Sequence, residues 1–285
     1  QRGYFRTPEL NEQLYLHFAG YSKIENLSNF THCRILWLEH NSIEEIENLE
    51  ALLALRVLHL EHNALRGLGN CILPLLETLN VSHNFLSDLS GLRNFPNLQR
   101  LHAAHNDLDD TQLVHLSMVP NLTALDLSHN KLGDPERLLE VLLKLPKLAS
   151  LQLSGNDAVR SVKSYRKKLI CALPKLCHLD DMPVFENERR AAEAWGRGGR
   201  EAEKAEYAKI RAEEAARRDE QRAFFNRFVA DAKARGSTAG VETAYARTMR
   251  LAAEAEEAAE KAQREQEEAE HAAHVAAASA APHPA

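Results

Sequence analysis

Six asparagines, Asn41, Asn63, Asn84, Asn106, Asn130 and Asn156, close the same short phrase in this 285-residue chain. The phrase is apolar-x-x-Leu-x-apolar-x-x-Asn, as in Leu55-Leu58-Leu60-Asn63 and Leu122-Leu125-Leu127-Asn130. The steps between successive asparagines are 22, 21, 22, 24 and 26 residues. A unit that short cannot bury its own hydrophobic face, so each must stack on its neighbours.

Period and pattern are those of a leucine-rich repeat. The expected fold is therefore α/β: a solenoid of about seven 22-residue-type repeats, with a parallel concave sheet and a C-terminal cap. Ile46-Glu47-Asn48-Leu49 is copied at Ile24-Glu25-Asn26-Leu27, which exposes an irregular opening repeat, Leu14-Tyr15-Leu16, with Ala19 in its asparagine slot. Pro74, Pro96, Pro120 and Pro146 each stand two residues before the first leucine of a unit, and Pro174 precedes Leu176 in the same way. Proline cannot continue a helix, so it ends each convex segment before the next strand. The ladder asparagines should hydrogen-bond the turns of adjacent coils, because buried polar groups need partners.

Both ends of a solenoid need covers. Thr7-Pro8-Glu9-Leu10 reads as a threonine-capped helix start with proline at its first position. Asp134-Pro135-Glu136 starts a convex helix to about residue 144, and residues 161–172 read as the helix before a truncated last repeat at Leu176 and Leu179. The solenoid with its caps is assigned to residues 1–185 and an Ala/Glu/Arg-rich helical extension to 186–285. Composition supports the split: 18 basic and 21 acidic residues up to position 185, then 17 and 20 in a leucine-poor remainder typical of long exposed helices. Neither part is strongly basic, which argues against nucleic acid. No apolar run of membrane-spanning length and no signal peptide is visible, so no membrane partner is expected; the sequence opens on Gln1 rather than Met. Cys33 and Cys71 fill leucine slots and read as small buried hydrophobes, and the absence of disulfide-type caps points to a reducing compartment.

Strand side chains alternate, so with the leucines inward the residues between them face the concave surface. The central column is Tyr15, Trp37, His59, Asn80, His102, Asp126 and Gln152. Beside it run His17, Glu39, Glu61, Ser82, Ala104, Ser128 and Ser154. The partner-binding candidates are Tyr15, His17, Trp37, Glu39, His59, Glu61, Asn80, His102 and Asp126; Trp37 has no core role in this register, and an exposed aromatic pair is a hot-spot composition. Catalysis is not expected: Ser82, His102 and Asp126 on successive strands can be drawn as a triad, but the face is open and lacks an oxyanion hole. His40, His62, His83, His105 and His129 precede the asparagines and form a column, a line of ligands poorly matched to a tetrahedral metal site. No metal, cofactor or small-molecule ligand is expected.

In the extension, Phe185 and Trp195 are expected to fold back on the cap, worth about 2 kcal/mol each. Glu201 to about Arg235 should form a charged helix of about 50 Å with one apolar stripe, Phe224, Phe225, Phe228, Val229 and Ala232, suited either to docking another protein or to packing on the solenoid. Gly236–Gly240 should break it. A second run to about Ala278 lacks heptads for a confident coiled coil, and 280–285 reads as disordered.

Several phrases resemble the leucine-rich-repeat dynein axonemal assembly factor family. They are Thr7-Pro8-Glu9-Leu10-Asn11, Leu14-Tyr15-Leu16-His17-Phe18, Leu36-Trp37-Leu38-Glu39 and, more specifically, Leu179-Asp180-Asp181-x-Pro183-Val184-Phe185 and Ala191-x-x-Ala194-Trp195-x-Arg197-Gly198-Gly199. Asp157-Ala158 departs from the family, which has proline after the last Gly-Asn. The resemblance covers about residues 7–200. It implies a non-enzymatic factor for preassembling ciliary or flagellar dynein arms in the cytoplasm, with axonemal dynein subunits and chaperones or co-chaperones as partners. Two rivals stay open: a phosphatase regulatory subunit of the same repeat class, and a structural component resident in the axoneme.

Overall fold

The computed structural model describes residues 5–234. Eight strands stack in chain order in one sheet: β1 (Gln13–Tyr15), β2 (Ile35–Trp37), β3 (Val57–His59), β4 (Thr78–Asn80), β5 (Arg100–His102), β6 (Ala124–Asp126), β7 (Ser150–Gln152) and β8 (His178–Leu179). All seven pairings among them are parallel. A ninth, β9 (Met182–Pro183), closes the edge antiparallel to β8. The register aligns Leu14, Leu36, Leu58, Leu79, Leu101, Leu125, Leu151 and Leu179, all buried. One continuous leucine core runs along the solenoid, and a buried leucine contributes roughly 2 kcal/mol.

The asparagine ladder joins coil to coil as expected. Asn84 donates from Nδ2 to the Leu60 and Val81 carbonyls (both 3.0 Å) and accepts the Leu65 N–H at 3.0 Å. Asn63, Asn106 and Asn130 repeat this pattern. Each thereby satisfies groups of two coils that would otherwise be buried without partners. At the ends the pattern changes. Asn41 serves Ala19 and Tyr21 of the opening coil. Asp180 replaces asparagine in the last, accepting from Leu153 N and Ser154 N at 2.9 and 3.1 Å; with no amide to donate, it terminates the ladder.

The convex side is built of short turns, 3-10 segments and one regular helix, α1 (Pro135–Leu142). Asp134 caps α1, accepting from the Glu136 and Arg137 N–H groups, as the Asp-Pro-Glu phrase predicts. Two other helix expectations need correction. Residues 8–10 form a single 3-10 turn, and the Thr7 side chain makes no cap bond. The helix expected over 161–172 begins only at Tyr165, as α3 (Tyr165–Ala172), because Val162 is extended and Ser164 left-handed (φ 59°); a separate short helix, α2 (Asp157–Ser161), ends where it was expected to start.

The helical segment α4 (Glu186–Ala234) starts well before Glu201 and is interrupted at Gly198 and Gly199. Gly199 has φ 66° and ψ −155°, a region that glycine alone enters freely. The chain turns back there, so Arg190 pairs with Glu206 at 2.8 Å across the glycines and Lys167 of α3 pairs with Glu203. Ala191, Ala192 and Ala194 are buried, and the Cys171 thiol donates to the Ala192 carbonyl at 2.7 Å. Arg166 donates to the Leu179 and Pro183 carbonyls (3.0 and 2.8 Å) and to Glu188. Trp195 is half-buried here, but Phe185 is 65% exposed: Val184 turns onto the core instead. This compact unit ends at Ile210, and the helix from Arg211 belongs to a second one. The expected break at 236–240, the second charged run and the end at 280–285 lie outside the described residues.

Candidate protein-binding face

The strand register brings Tyr15, Trp37, His59, Asn80, His102, Asp126 and Gln152 into one outward column. Trp37 faces out of the core, as strand alternation requires. Tyr15 and Trp37 stack with ring centroids 4.2 Å apart and planes 13° apart, and Trp37 and His59 are near-parallel at 5.7 Å. Strand spacing of about 4.8 Å sets such a stack, which consumes the ring faces and presents edges to a partner. The Tyr15 hydroxyl donates to Gln13 Oε1 at 2.8 Å.

Beside these rings lie Glu39 and Glu61. His17 Nδ1 is 3.7 Å from Glu39, and His59 Nδ1 is 3.6 Å from Glu61, both beyond hydrogen-bond length. Glu39 Oε2, Glu61 Oε2, His17 Nδ1 and His59 Nδ1 are shut from water without a hydrogen-bond partner. Burial pushes the Glu61 carboxyl up, but the His59 ring, the residue's own N–H and the charge of His59 and His62 outweigh it and hold it below the usual range.

Further along, the column is self-satisfied. Asn80 accepts the Ser82 N–H at 3.1 Å. Asp126 accepts both the N–H and the hydroxyl of Ser128, at 2.9 and 2.7 Å. His102 is held below the ordinary imidazole value by burial, against the pull of Asp126 and Glu61. Ser82, Ala104 and Ser128, expected on the open face, are buried, so the second row offers a partner His17, Glu39 and Glu61 at one end and Ser154 at the other.

Residues 74–115 match the family described as "Leucine Rich repeats (2 copies)" and residues 120–135 the one described as "Leucine Rich repeat". The sequence is 39% identical over 230 residues to the dynein axonemal assembly factor 1 homolog of Drosophila pseudoobscura pseudoobscura, covering 71% of this chain and 13% of that protein. It is 45% identical over 208 residues to human dynein axonemal assembly factor 1, covering 72% and 29%. The chain belongs to the leucine-rich-repeat dynein axonemal assembly factor family. A third member, the leucine-rich repeat-containing protein ODA7 of Chlamydomonas reinhardtii, is 39% identical over 216 residues, covering 75% and 50%. The chain thus spans half or less of the length of these relatives.

Other candidate residues fall into place around this face. Of the drawn triad, Asp126 Oδ1 is held by the N–H and hydroxyl of Ser128, and Ser82 is buried. Burial pushes the Cys33 and Cys71 thiols up to about 11, away from thiolate chemistry. The histidines before the asparagines form a stack that the sequence placed as a column but did not reveal as ring contacts. From Phe18 through His40, His62, His83, His105 and His129, centroids lie 4.2–4.3 Å apart with planes within 12°. All six residues have φ of 53–56°. The stack stops at Gly155, where a Cβ would come within 2.5 Å of the His129 ring. Among the described residues no three His, Cys, Asp or Glu side chains are grouped to hold a metal ion. On α4, Phe224 and Phe228 are 67% and 50% exposed, and Phe225 is partly buried.

Proposed function

We propose that this chain is a non-enzymatic interaction scaffold for the cytoplasmic preassembly of axonemal dynein arms in cells that build cilia or flagella. The concave face holds an axonemal dynein subunit or its co-chaperone, and the helical extension, through Phe224, Phe225 and Phe228, adds contact. Residues 1–185 form the gripping part and 186–285 the extension.

The observation that carries this reading is the outward row Tyr15–Trp37–His59, whose rings are already ordered by stacking in the free protein. Rigid aromatic anchors lose little entropy on binding, and such residues dominate interface energetics. The names of the relatives supply the dynein assignment. The test is Trp37→Ala with His59→Ala in the full chain. Recovery of axonemal dynein chains from lysates of ciliating cells should be lost while thermal stability stays unchanged. Normal recovery by the double variant would rule this face out.

A further inference from the structure

Glu39 and Glu61 hold equivalent places on adjacent coils, two residues beyond the paired Trp37 and His59. Their side chains keep 18% and 23% of their surface exposed, and each carries an oxygen shut from water without a donor. Leaving a buried acceptor unmade costs roughly 1–3 kcal/mol, more when it is charged. Glu61 is held below the usual carboxyl range, so the negative charge is present in the free protein at neutral pH. The only ion-pair partners of the two carboxylates are histidines at 3.6–3.7 Å; neither has a Lys or Arg within ion-pair distance among the described residues. Basic side chains on the flanking row are already engaged: Arg34 with Glu12 at 3.5 Å, and Arg56 with Glu77. The terminal torsion of a glutamate is broad and nearly two-fold, so a small rotation turns either oxygen toward the open face. What this patch lacks is a cation with several N–H donors.

We infer that the N-terminal half of the concave face receives an arginine side chain from an exposed segment of a protein partner. Its guanidinium is held between Glu39 and Glu61, and its methylene stem lies against the edges of Trp37 and Tyr15. Arginine fits better than lysine because its rigid planar fork serves two carboxylates at once and is more weakly hydrated. Cation–π attraction is not the source, since stacking occupies the ring faces. The inference rests on the concave face being the binding surface and names the chemistry that face selects.

The test uses the full ¹⁵N-labelled chain and three capped pentapeptides, identical except for a central arginine, lysine or citrulline. The Trp37 indole N–H signal, identified by its loss in Trp37→Phe, is followed during titration. The arginine peptide should shift it saturably, with citrulline and lysine binding about tenfold more weakly. Glu39→Gln with Glu61→Gln should weaken arginine binding about tenfold and lower the unfolding temperature by no more than about a degree or two. Equal binding of arginine and citrulline, or of arginine and lysine, overturns the inference. So does undiminished binding by the glutamine double variant, or a loss of several degrees in its unfolding temperature, which would make the carboxylates structural. Recovery of dynein chains separates the two levels. If Trp37→Ala with His59→Ala loses recovery while the glutamine variant keeps it, the face stands and the arginine pocket falls. If both keep it, the face itself falls.

Discussion

The two halves of the concave wall share one backbone and differ in what their side chains leave undone. From β4 onward the polar groups close on their own strands: Asn80 takes the Ser82 N–H, and Asp126 takes both Ser128 donors. From β1 to β3 the wall is a stack of standing rings beside two carboxylates and two imidazoles with unmatched buried atoms. A surface that satisfies itself has little to gain from a partner. A preordered surface with orphaned acceptors gains both contact area and the missing hydrogen bonds. We therefore propose that the same solenoid carries one receptive half and one closed half.

The largest expected effect tests whether the scaffold beneath the two halves is equivalent. Asn63→Ala and Asn130→Ala each remove two coil-to-coil hydrogen bonds and one within the coil, all of 2.9–3.1 Å. Each should lower unfolding free energy by about 3 kcal/mol in urea denaturation. A marked inequality would mean that the halves differ in their frame as well as in their surface. Next comes Arg166→Ala, which strips donors from the Leu179 and Pro183 carbonyls and from Glu188. A loss of about 2 kcal/mol is expected, with faster amide exchange confined to β7 and β8. Exchange rising equally in β2 and β3 would break the separation.

A smaller pair of substitutions sharpens the comparison at its centre. Asp126→Ala should cost about 1 kcal/mol, because it deprives Ser128 of its acceptor, whereas Glu61→Gln, which loses only the attraction of His59 and His62 for its charge, should cost clearly less. Chemical denaturation of both decides it, and an equal loss in Glu61→Gln would erase the distinction. The smallest effect lies in pH. His102 is lowered by burial, so the unfolded chain takes its proton first, and stability falls as pH drops through 6.5 toward the folded value. Glu61, also lowered, keeps its contribution until pH falls below 4.5 toward its own folded value. Stability measured from pH 7 to 4 should thus decline first through the closed half, and His102→Gln should reduce that first decline.

Much of this contrast was legible before any coordinates. The asparagine period fixed the stacking, and strand alternation put Tyr15, Trp37 and His59 outward in the observed register. Misplaced elements were those where local geometry overrides pattern. Ser164 enters the left-handed region and delays to Tyr165 the helix expected over 161–172. Val184 takes the inward place expected of Phe185. Ser82, Ala104 and Ser128 are covered although their parity is outward. The histidine column was visible as spacing, yet its stacking depends on a left-handed turn at every histidine, which spacing does not encode. The orphaned oxygens of Glu39 and Glu61 left no trace in the sequence, because they depend on side-chain rotamers and neighbouring rings.

One experiment addresses the receptive half most directly. A photo-crosslinking phenylalanine analogue is placed at Tyr15 in one full-length chain and at Gln152 in another, at opposite ends of the same column, and both are irradiated in ciliating cells. The expected result is a covalent adduct with an axonemal dynein subunit or its co-chaperone from position 15 and little or none from position 152. Adducts from position 152 alone, or equal adducts from both, would contradict the division of the concave wall into a receptive and a closed half.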